Sequence, residues 1–162
     1  MPMIDRRGLI EHLHGQFTLD WQGLHGITHW ARVRANGLML ARQNMANRHV
    51  VELFAFFHDA RRLSEHGDAG HGERGAELAA QLRGRYFEAT NAEMDLLHDA
   101  CTHHSDGLTI GEITVLTCWD ADRLDLERVG TTPRALCTDA AKDSANQLKA
   151  RTRARAWMDR QR

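Results

Sequence analysis

The sequence predicts an all-α protein, and two observations carry that prediction. Only two prolines occur among the 162 residues, at positions 2 and 133, which leaves long segments free to be helical. Apolar residues recur at helical spacing along most of the chain, and short glycine-rich or polar stretches separate these segments. We therefore expect six or seven helices and little or no β-sheet.

Three helices are expected in the first part of the chain. Apolar residues at helical spacing predict a short amphipathic helix over about residues 3–15. A second helix suits residues 23–45, although two internal glycines weaken it, and a third suits residues 48–63 with Asn47 as its N-cap. The third segment is apolar on almost every helical face, so we expect it to be buried.

Four further helices complete the predicted fold. Asp68, in the glycine-rich stretch 64–75, is placed to cap the helix that follows, and Asn91 is placed to open the next one. The segment "ITVLTCW" belongs to a predicted helix, although its β-branched residues would suit a strand by propensity alone. These helices are expected at about residues 76–87, 92–104, 112–126 and 138–160, and the last of them is long and polar.

Length and charge limit the classes of partner. A chain of this length suits one domain, residues 1–162, which would bury roughly 68–70% of the surface of its unfolded form. The formal charge of −1 gives no electrostatic reason to coat nucleic acid or an acidic membrane. No apolar run reaches the roughly 18 residues of a membrane span, and the N-terminal sequence lacks the apolar core of a signal peptide. We expect a cytoplasmic protein that binds neither membranes nor nucleic acid.

Cysteine and histidine usage points to a metal site without thiolates. The three cysteines are widely spaced and form no CxxC pair, which argues against a disulfide framework and against a thiolate zinc site. Eleven histidines occur, several of them within or beside helical segments. Such a set of imidazoles and carboxylates suits Mn, Fe, Co, Ni, Zn or Mg and leaves coordination positions open for water and substrate.

The candidate ligands follow one another in a distinctive order. His25 and His29 are four residues apart and share a helical face, and His58 and Asp59 close the apolar third helix. A buried imidazole or carboxylate without a partner costs several kcal/mol, so this pair requires a partner from elsewhere in the chain. Further candidates lie downstream, at His71, His103, His104, Asp120, Asp122 and Asp125.

Five short motifs resemble those of the HD-domain metal-dependent phosphohydrolases. They are "HGITHWARV", "FFHDARR", "HGERGAEL", "THHSDG" and "DADRLD", in this order, and they span about residues 22–126. The resemblance implies an orthogonal helical bundle with a metal site at its centre. It also implies one or two divalent transition-metal ions as the cofactor.

The resemblance assigns roles to individual residues. His29, His58, Asp59 and Asp122 would hold one metal ion, and Asp59 would bridge to a second. Asp120 competes with Asp122 for the role of distal ligand, because both lie in the same short motif. The second ion would be held by the later histidines, His71, His103 and His104.

Arg62 and His25 lie outside this set of ligands but have possible roles beside it. Arg62 stands three residues after Asp59, where many members of the family have a lysine, and it would hold the scissile phosphate bidentately. His25 is either a ligand, a residue that supports one, or an exposed histidine beside Gly26. A second His-Asp pair, His98 and Asp99, matches no position of the family motif.

The implied function is hydrolysis of a small phosphate ester, with a nucleotide as the favoured substrate. Asp59 would orient or deprotonate the attacking water, and Arg62 would steady the phosphoryl oxygens. No "GYP" follows the double histidine, so cleavage of cyclic dinucleotides is not implied, and the "HNM" of the alarmone hydrolases is also missing. The family contains diiron oxygenases as well, so oxygen chemistry stays an alternative. A third possibility is a non-catalytic module that binds a nucleotide as a signal.

Overall fold

Helices account for nearly all regular structure in this computed structural model, which describes residues 2–162. Residues 2–162 contain no β-strand and only two isolated bridges, from Phe87 to Ile4 and to Arg83. The all-α prediction is therefore confirmed. In chain order the elements are α1 (Arg6–Gln16), α2 (Ile27–Asn44), α3 (Arg48–Phe57), α4 (His71–Leu82), α5 (Asn91–His103), α6 (Ile113–Arg123), a 3-10 helix (Leu124–Val129), α7 (Asp139–Lys142) and α8 (Ser144–Arg160).

Helix α3 forms the centre of the bundle. Every residue from Val50 to Phe57 is buried, and the helix contacts α2, α4, α5 and α6. Full burial of one such leucine or phenylalanine contributes about 1.5–3 kcal/mol, so this segment is a main source of the hydrophobic stability. Asn47 caps the helix as predicted, because its side chain accepts hydrogen bonds from the amides of His49 and Val50.

The third helix ends earlier than the sequence predicted. It stops at Phe57 instead of continuing to residue 63, and His58 to Arg61 form turns. Helix α4 crosses this end closely, since a Cβ atom on Gly75 would clash with the Phe57 carbonyl oxygen. Beyond the turns, the amide of Leu63 donates to the Asp68 carboxylate at 2.6 Å instead of continuing a helix.

Local hydrogen bonds also shift other predicted boundaries. Helix α2 begins at Ile27 rather than residue 23, because the Ile27 amide donates to the Trp21 carbonyl and turns the chain. Helix α4 begins at His71, inside the stretch expected to be a loop, and Asp68 does not cap it. Thr90, not Asn91, caps α5 through a reciprocal capping box with Glu93.

The C-terminal segment is two helices and is partly buried. Asp143 ends α7 and caps α8 by accepting hydrogen bonds from the amides of Ala145 and Asn146. Helix α8 packs against α2, where Arg153 donates to Asn36 at 2.8 Å and Arg32 covers the Trp157 ring. Within the described chain, no helix has the length and apolarity needed to cross a membrane.

A buried glutamate links three helices. Glu52 of α3 accepts hydrogen bonds from Arg6 of α1 at 2.6 and 2.9 Å and from Arg34 of α2 at 2.8 Å. Burial alone would raise the pKa of Glu52, but the two guanidinium groups outweigh burial and lower it. The charged carboxylate therefore stabilises the folded chain.

Replacing Gly75 by alanine should destabilise the protein, because the new methyl group has no room beside the Phe57 carbonyl. We expect the free energy of unfolding in urea to fall by about 1–3 kcal/mol. Gly15→Ala is the matched control, since nothing lies within 4 Å of its Cβ position and alanine favours a helix. Equal stability of Gly75→Ala and wild type would contradict this account of the α3–α4 contact.

The Glu52→Gln variant should reveal a pH-dependent contribution to stability. Because the pKa of Glu52 is lowered on folding, its contribution is present above the ordinary carboxyl pKa and disappears as the pH falls through the lowered value. We expect urea unfolding to show a deficit of about 1 kcal/mol near neutral pH that shrinks as the pH falls below the ordinary carboxyl pKa. Glu11→Gln is the control, because it removes only an exposed ion pair with Arg7. It should change the free energy of unfolding by about 0.2–0.5 kcal/mol. A deficit that stays constant with pH would contradict the assignment.

Candidate metal centre

Four side chains from three parts of the bundle meet at the end of α3. The Nε2 atom of His29 lies 3.1 Å from Nε2 of His58 and 3.1 Å from Oδ1 of Asp122. Oδ2 of Asp59 lies 3.5 Å from Nε2 of His29 and 3.6 Å from Nε2 of His58. We refer to His29, His58, Asp59 and Asp122 as the first group.

Asp59 also belongs to a second group, together with His71 and His104. Its other oxygen, Oδ1, lies 3.3 Å from Nε2 of His71 and 3.4 Å from Nε2 of His104. The two histidine Nε2 atoms are 3.0 Å apart. Each oxygen of one carboxylate thus faces a different set of ligand atoms, which is the arrangement that a bridging ligand requires.

The outer nitrogen of each of the four rings faces an oxygen acceptor. Nδ1 of His29 lies 2.6 Å from the Asp125 carboxylate, and Nδ1 of His58 lies 3.1 Å from the Phe54 carbonyl oxygen. In the second group, Nδ1 of His71 faces the Asp68 carbonyl oxygen at 2.6 Å, and Nδ1 of His104 faces that of Cys101 at 2.7 Å. A carbonyl oxygen only accepts, so we assign the ring proton to Nδ1.

This assignment leaves lone pairs facing one another. With Nδ1 protonated in the neutral rings, each Nε2 atom is an acceptor, and the Nε2 atoms meet in pairs beside a buried carboxylate. Asp59 Oδ1 has no hydrogen-bond partner among residues 2–162. Such a set requires positive charge, and imidazoles fixed through Nδ1 are typical of histidines that bind metal through Nε2. The residues present therefore fit a divalent metal ion.

The carboxylates of both groups are held ionised. Burial alone would raise the pKa of Asp59, but the imidazoles around it, those of His58, His104, His25 and His71, outweigh burial and hold that pKa well below its ordinary value. The nearby imidazoles of His29 and His58 likewise outweigh burial and lower the pKa of Asp122. Negative charge is therefore concentrated where the ring nitrogens converge.

The structure separates the two aspartates that competed for the distal position. Asp122 of α6 reaches the first group, whereas Asp120 points to the other side of the helix. The buried Asp120 carboxylate accepts hydrogen bonds from the amides of Cys137 and Thr138 at 2.7 and 2.8 Å. Asp120 thus anchors the segment before α7 and takes no part in either group.

His103 lies outside both groups, and its prediction as a ligand needs correction. Its side chain is 44% exposed, and Nδ1 contacts the Asp106 carboxylate at 2.7 Å. It is the last residue of α5, whereas His104 follows as the C-cap and turns inward. Adjacent residues at a helix end point in different directions, so only one of the two can reach the cluster. The second His-Asp pair, His98 and Asp99, is exposed on α5.

Arg62 reaches the second group but is not free to clamp a phosphate with two nitrogens. Its Nε and Nη2 atoms donate to the carbonyl oxygens of Ser64 and His66 at 2.9 and 2.8 Å. The remaining Nη1 atom lies 3.1 Å from Nε2 of His71 and 3.7 Å from Oδ1 of Asp59. The expected bidentate contact is therefore not supported by this geometry.

Two further residues support the first group. His25 faces Oδ2 of Asp59 with Nδ1 at 3.2 Å and the Glu65 carbonyl oxygen with Nε2 at 3.2 Å, so it contacts the first group instead of lying exposed. Asp125, whose role the sequence analysis missed, orients His29 and accepts a hydrogen bond from Arg32 at 2.8 Å. Its spacing of three residues from Asp122 was the available signal, because that spacing places both on one helical face.

A polar cleft of about 380 Å³ opens onto the second group. No side chain caps the N-terminus of α4, which lies in the wall of this cleft. A helix N-terminus presents free amide groups and favours anions. Residues in the wall include Arg62, Gly70, His71, Thr102, His104 and Ser105.

Comparison with solved structures identifies the fold. The structure resembles the crystal structure of a predicted HD superfamily hydrolase from an uncultured Thermotogales bacterium. The match covers 98% of this chain and 91% of the other, with a TM-score of 0.70 and 22% sequence identity. The chain has the HD-domain fold. No protein-family model and no curated protein sequence matches it.

The HD-domain fold confirms the architecture that the sequence motifs implied. The buried His-Asp pair that characterises the motif, His58 and Asp59, lies where the helices converge. Identity at this level bears on the fold alone. The case for a metal site therefore rests on the ligand geometry of this chain.

The Asp125→Asn variant should lower the affinity of the first group for a divalent metal ion. Asparagine keeps an oxygen for Arg32 but removes the charge that fixes and polarises His29. We expect calorimetric titration with Mn²⁺ to show about 10- to 100-fold weaker binding.

Asp120→Asn is the matched control, because Asp120 is equally buried but bonds only to backbone amides. That variant should lose stability and keep its metal affinity. Unchanged affinity in Asp125→Asn would show that Asp125 does not tune the site.

Proposed function

We propose that this HD-domain chain is a metal-dependent phosphohydrolase that acts on a small phosphate ester of the nucleotide class. The observation that carries the proposal is the arrangement of four imidazoles. Each has its outer nitrogen fixed by an oxygen acceptor and its inner nitrogen turned toward the Asp59 carboxylate. That arrangement suits a catalytic metal site better than a closed structural one, because the ligands leave coordination positions open.

The donor atoms favour borderline metals. The first group offers two imidazole nitrogens and two carboxylate oxygens, a set that suits Mn, Fe, Co, Ni or Zn. When bound there, such an ion supplies Lewis acidity, which acidifies a coordinated water and polarises a phosphoryl oxygen. The cysteines contribute nothing to either group, and burial raises the pKa of the Cys101 thiol.

Asp59 is suited to positioning the attacking water. Its Oδ1 atom faces the two histidines that line the cleft and is left without a hydrogen-bond partner in the described part of the chain. An ionised carboxylate in this position accepts a hydrogen bond from a water molecule and orients its lone pair. His25 holds the other oxygen, Oδ2, and so fixes the plane of the carboxylate.

The cleft is suited to an anionic substrate of modest size. The N-terminus of α4, which no side chain caps, lies in its wall, and the Ser105 hydroxyl lies 3.5 Å from Nε2 of His71. These donors would face the phosphoryl oxygens. The acidic residues of the cleft already have partners, since Asp68 pairs with Arg74 and Asp106 pairs with His103.

One observation also favours a second candidate function. The second group shares Asp59 with the first, so two ions could be held by one bridging carboxylate. Two irons in such a site would support an oxygenase on the same fold. The dependence of turnover on oxygen separates the two candidates.

The proposal predicts that Asp59→Ala removes metal and activity together. We would measure metal content by inductively coupled plasma mass spectrometry on protein purified without chelator, and then turnover of a panel of nucleotides and other phosphate esters with added Mn²⁺, Co²⁺ or Ni²⁺. Loss of a shared ligand and of the water-positioning group should lower turnover by at least about 100-fold. Asp99→Ala is the matched control, since it alters the exposed His-Asp pair.

The alternative functions predict different results in that experiment. Full turnover by Asp59→Ala with metal added would refute the proposed role of Asp59. Visible absorption from bound iron, together with turnover that requires oxygen, would select the oxygenase. Tight nucleotide binding without any turnover at full metal occupancy would select a signalling module.

A further inference from the structure

We infer that Arg62 competes with a divalent metal ion for the second group, so that the protein holds one ion tightly and admits a second only when Arg62 withdraws. The inference rests on the proposed function, because it assumes that the first group binds metal. It deepens that function by assigning unequal affinities to the two groups. Arg62 acts here as a positioning residue and not as a phosphate clamp.

The contact that carries the inference joins Arg62 to His71. Nη1 of Arg62 lies 3.1 Å from Nε2 of His71, so its N–H donates to the lone pair that a second ion would need. The same nitrogen lies 3.7 Å from Oδ1 of Asp59, which is the other ligand atom on that side. A fixed positive charge this close disfavours a dication at the same ligands.

The loop between α3 and α4 holds the guanidinium in place. Two of its nitrogens donate to the carbonyl oxygens of Ser64 and His66. The loop is closed in turn by Asp68, which accepts a hydrogen bond from the Leu63 amide and pairs with Arg74 at 2.7 Å. Withdrawal of Arg62 therefore breaks three hydrogen bonds. The apparent affinity for a second ion equals the intrinsic affinity multiplied by the fraction of molecules in which Arg62 has withdrawn.

The first group differs from the second in this respect. Within residues 2–162, no arginine or lysine contacts His58 or Asp122, and Oδ2 of Asp59 contacts only histidine nitrogens. The nearby Arg32 and Arg128 both lie beside the Asp125 carboxylate, on the far side of His29. No arginine or lysine thus donates a hydrogen bond to a ligand atom of the first group, and the two groups should differ in affinity.

The test is a Mn²⁺ titration of wild type, Arg62→Gln and Arg61→Gln, monitored by calorimetry and by electron paramagnetic resonance. Wild type should bind one equivalent tightly and a second weakly. Arg62→Gln should bind the second equivalent at least about tenfold more tightly, with the spectrum of a coupled manganese pair. Arg61→Gln, a change at the exposed neighbour, should match wild type.

Further variants keep the test decisive if Arg62→Gln unfolds in circular dichroism. Arg62→Lys keeps the charge but cannot bond both loop carbonyls and His71 at once, so its second equivalent should bind more tightly than in wild type. His71→Ala should lose only the second equivalent.

The outcomes separate this inference from the proposed function. A second equivalent that binds equally well with and without Arg62, or less well without it, overturns the competition. Failure of every variant and of wild type to bind even the first equivalent overturns the proposed metal site itself.

Discussion

The buried carboxylate of Asp59 is the constraint on which the rest of the site depends. It is ionised at the centre of the bundle, and a bare charge there would cost several kcal/mol. Histidines from α4 and from the ends of α3 and α5, together with His29 of α2, surround its two oxygens. Helices α2, α3, α4 and α5 must therefore converge on Asp59, so the packing of the helices and the geometry of the site depend on each other.

Two of the histidines around Asp59 are oriented by carbonyl groups at helix ends. The last carbonyl groups of a helix have no partner within the helix, so a histidine at the C-cap can use one of them to fix its outer nitrogen. His58 does so with the Ala55 carbonyl at the end of α3, and His104 does so with the Cys101 carbonyl at the end of α5. His29 lies within α2 and lacks a free carbonyl, and a charged partner, Asp125, performs the same task. The early end of α3 at Phe57 thus places His58 at the C-cap, where its ring can use such a carbonyl.

Helical periodicity and motif order predicted the fold and most of the residues that meet in the site, because both are local properties of the sequence. His29, His58, Asp59, Asp122, His71 and His104 converge in the structure, and their roles as ligands stay a prediction. The choice between His103 and His104 could not be predicted, since it depends on the direction in which α5 ends. Asp125 was among the candidates, but its role beside His29 was not predicted, because the family resemblance gives that position no role.

The position of Arg62 shows how a loop can set the chemistry of a site built from helices. The family resemblance predicted a phosphate contact for this arginine, but the carbonyl oxygens of Ser64 and His66 direct its free nitrogen to His71. A shorter lysine could not satisfy the same three acceptors, because its single ammonium group lacks the spread of a guanidinium. If the two groups bind metal, the identity of this one residue bears on how many ions they can hold. Two chains with identical ligands could differ in metal stoichiometry through the loop alone.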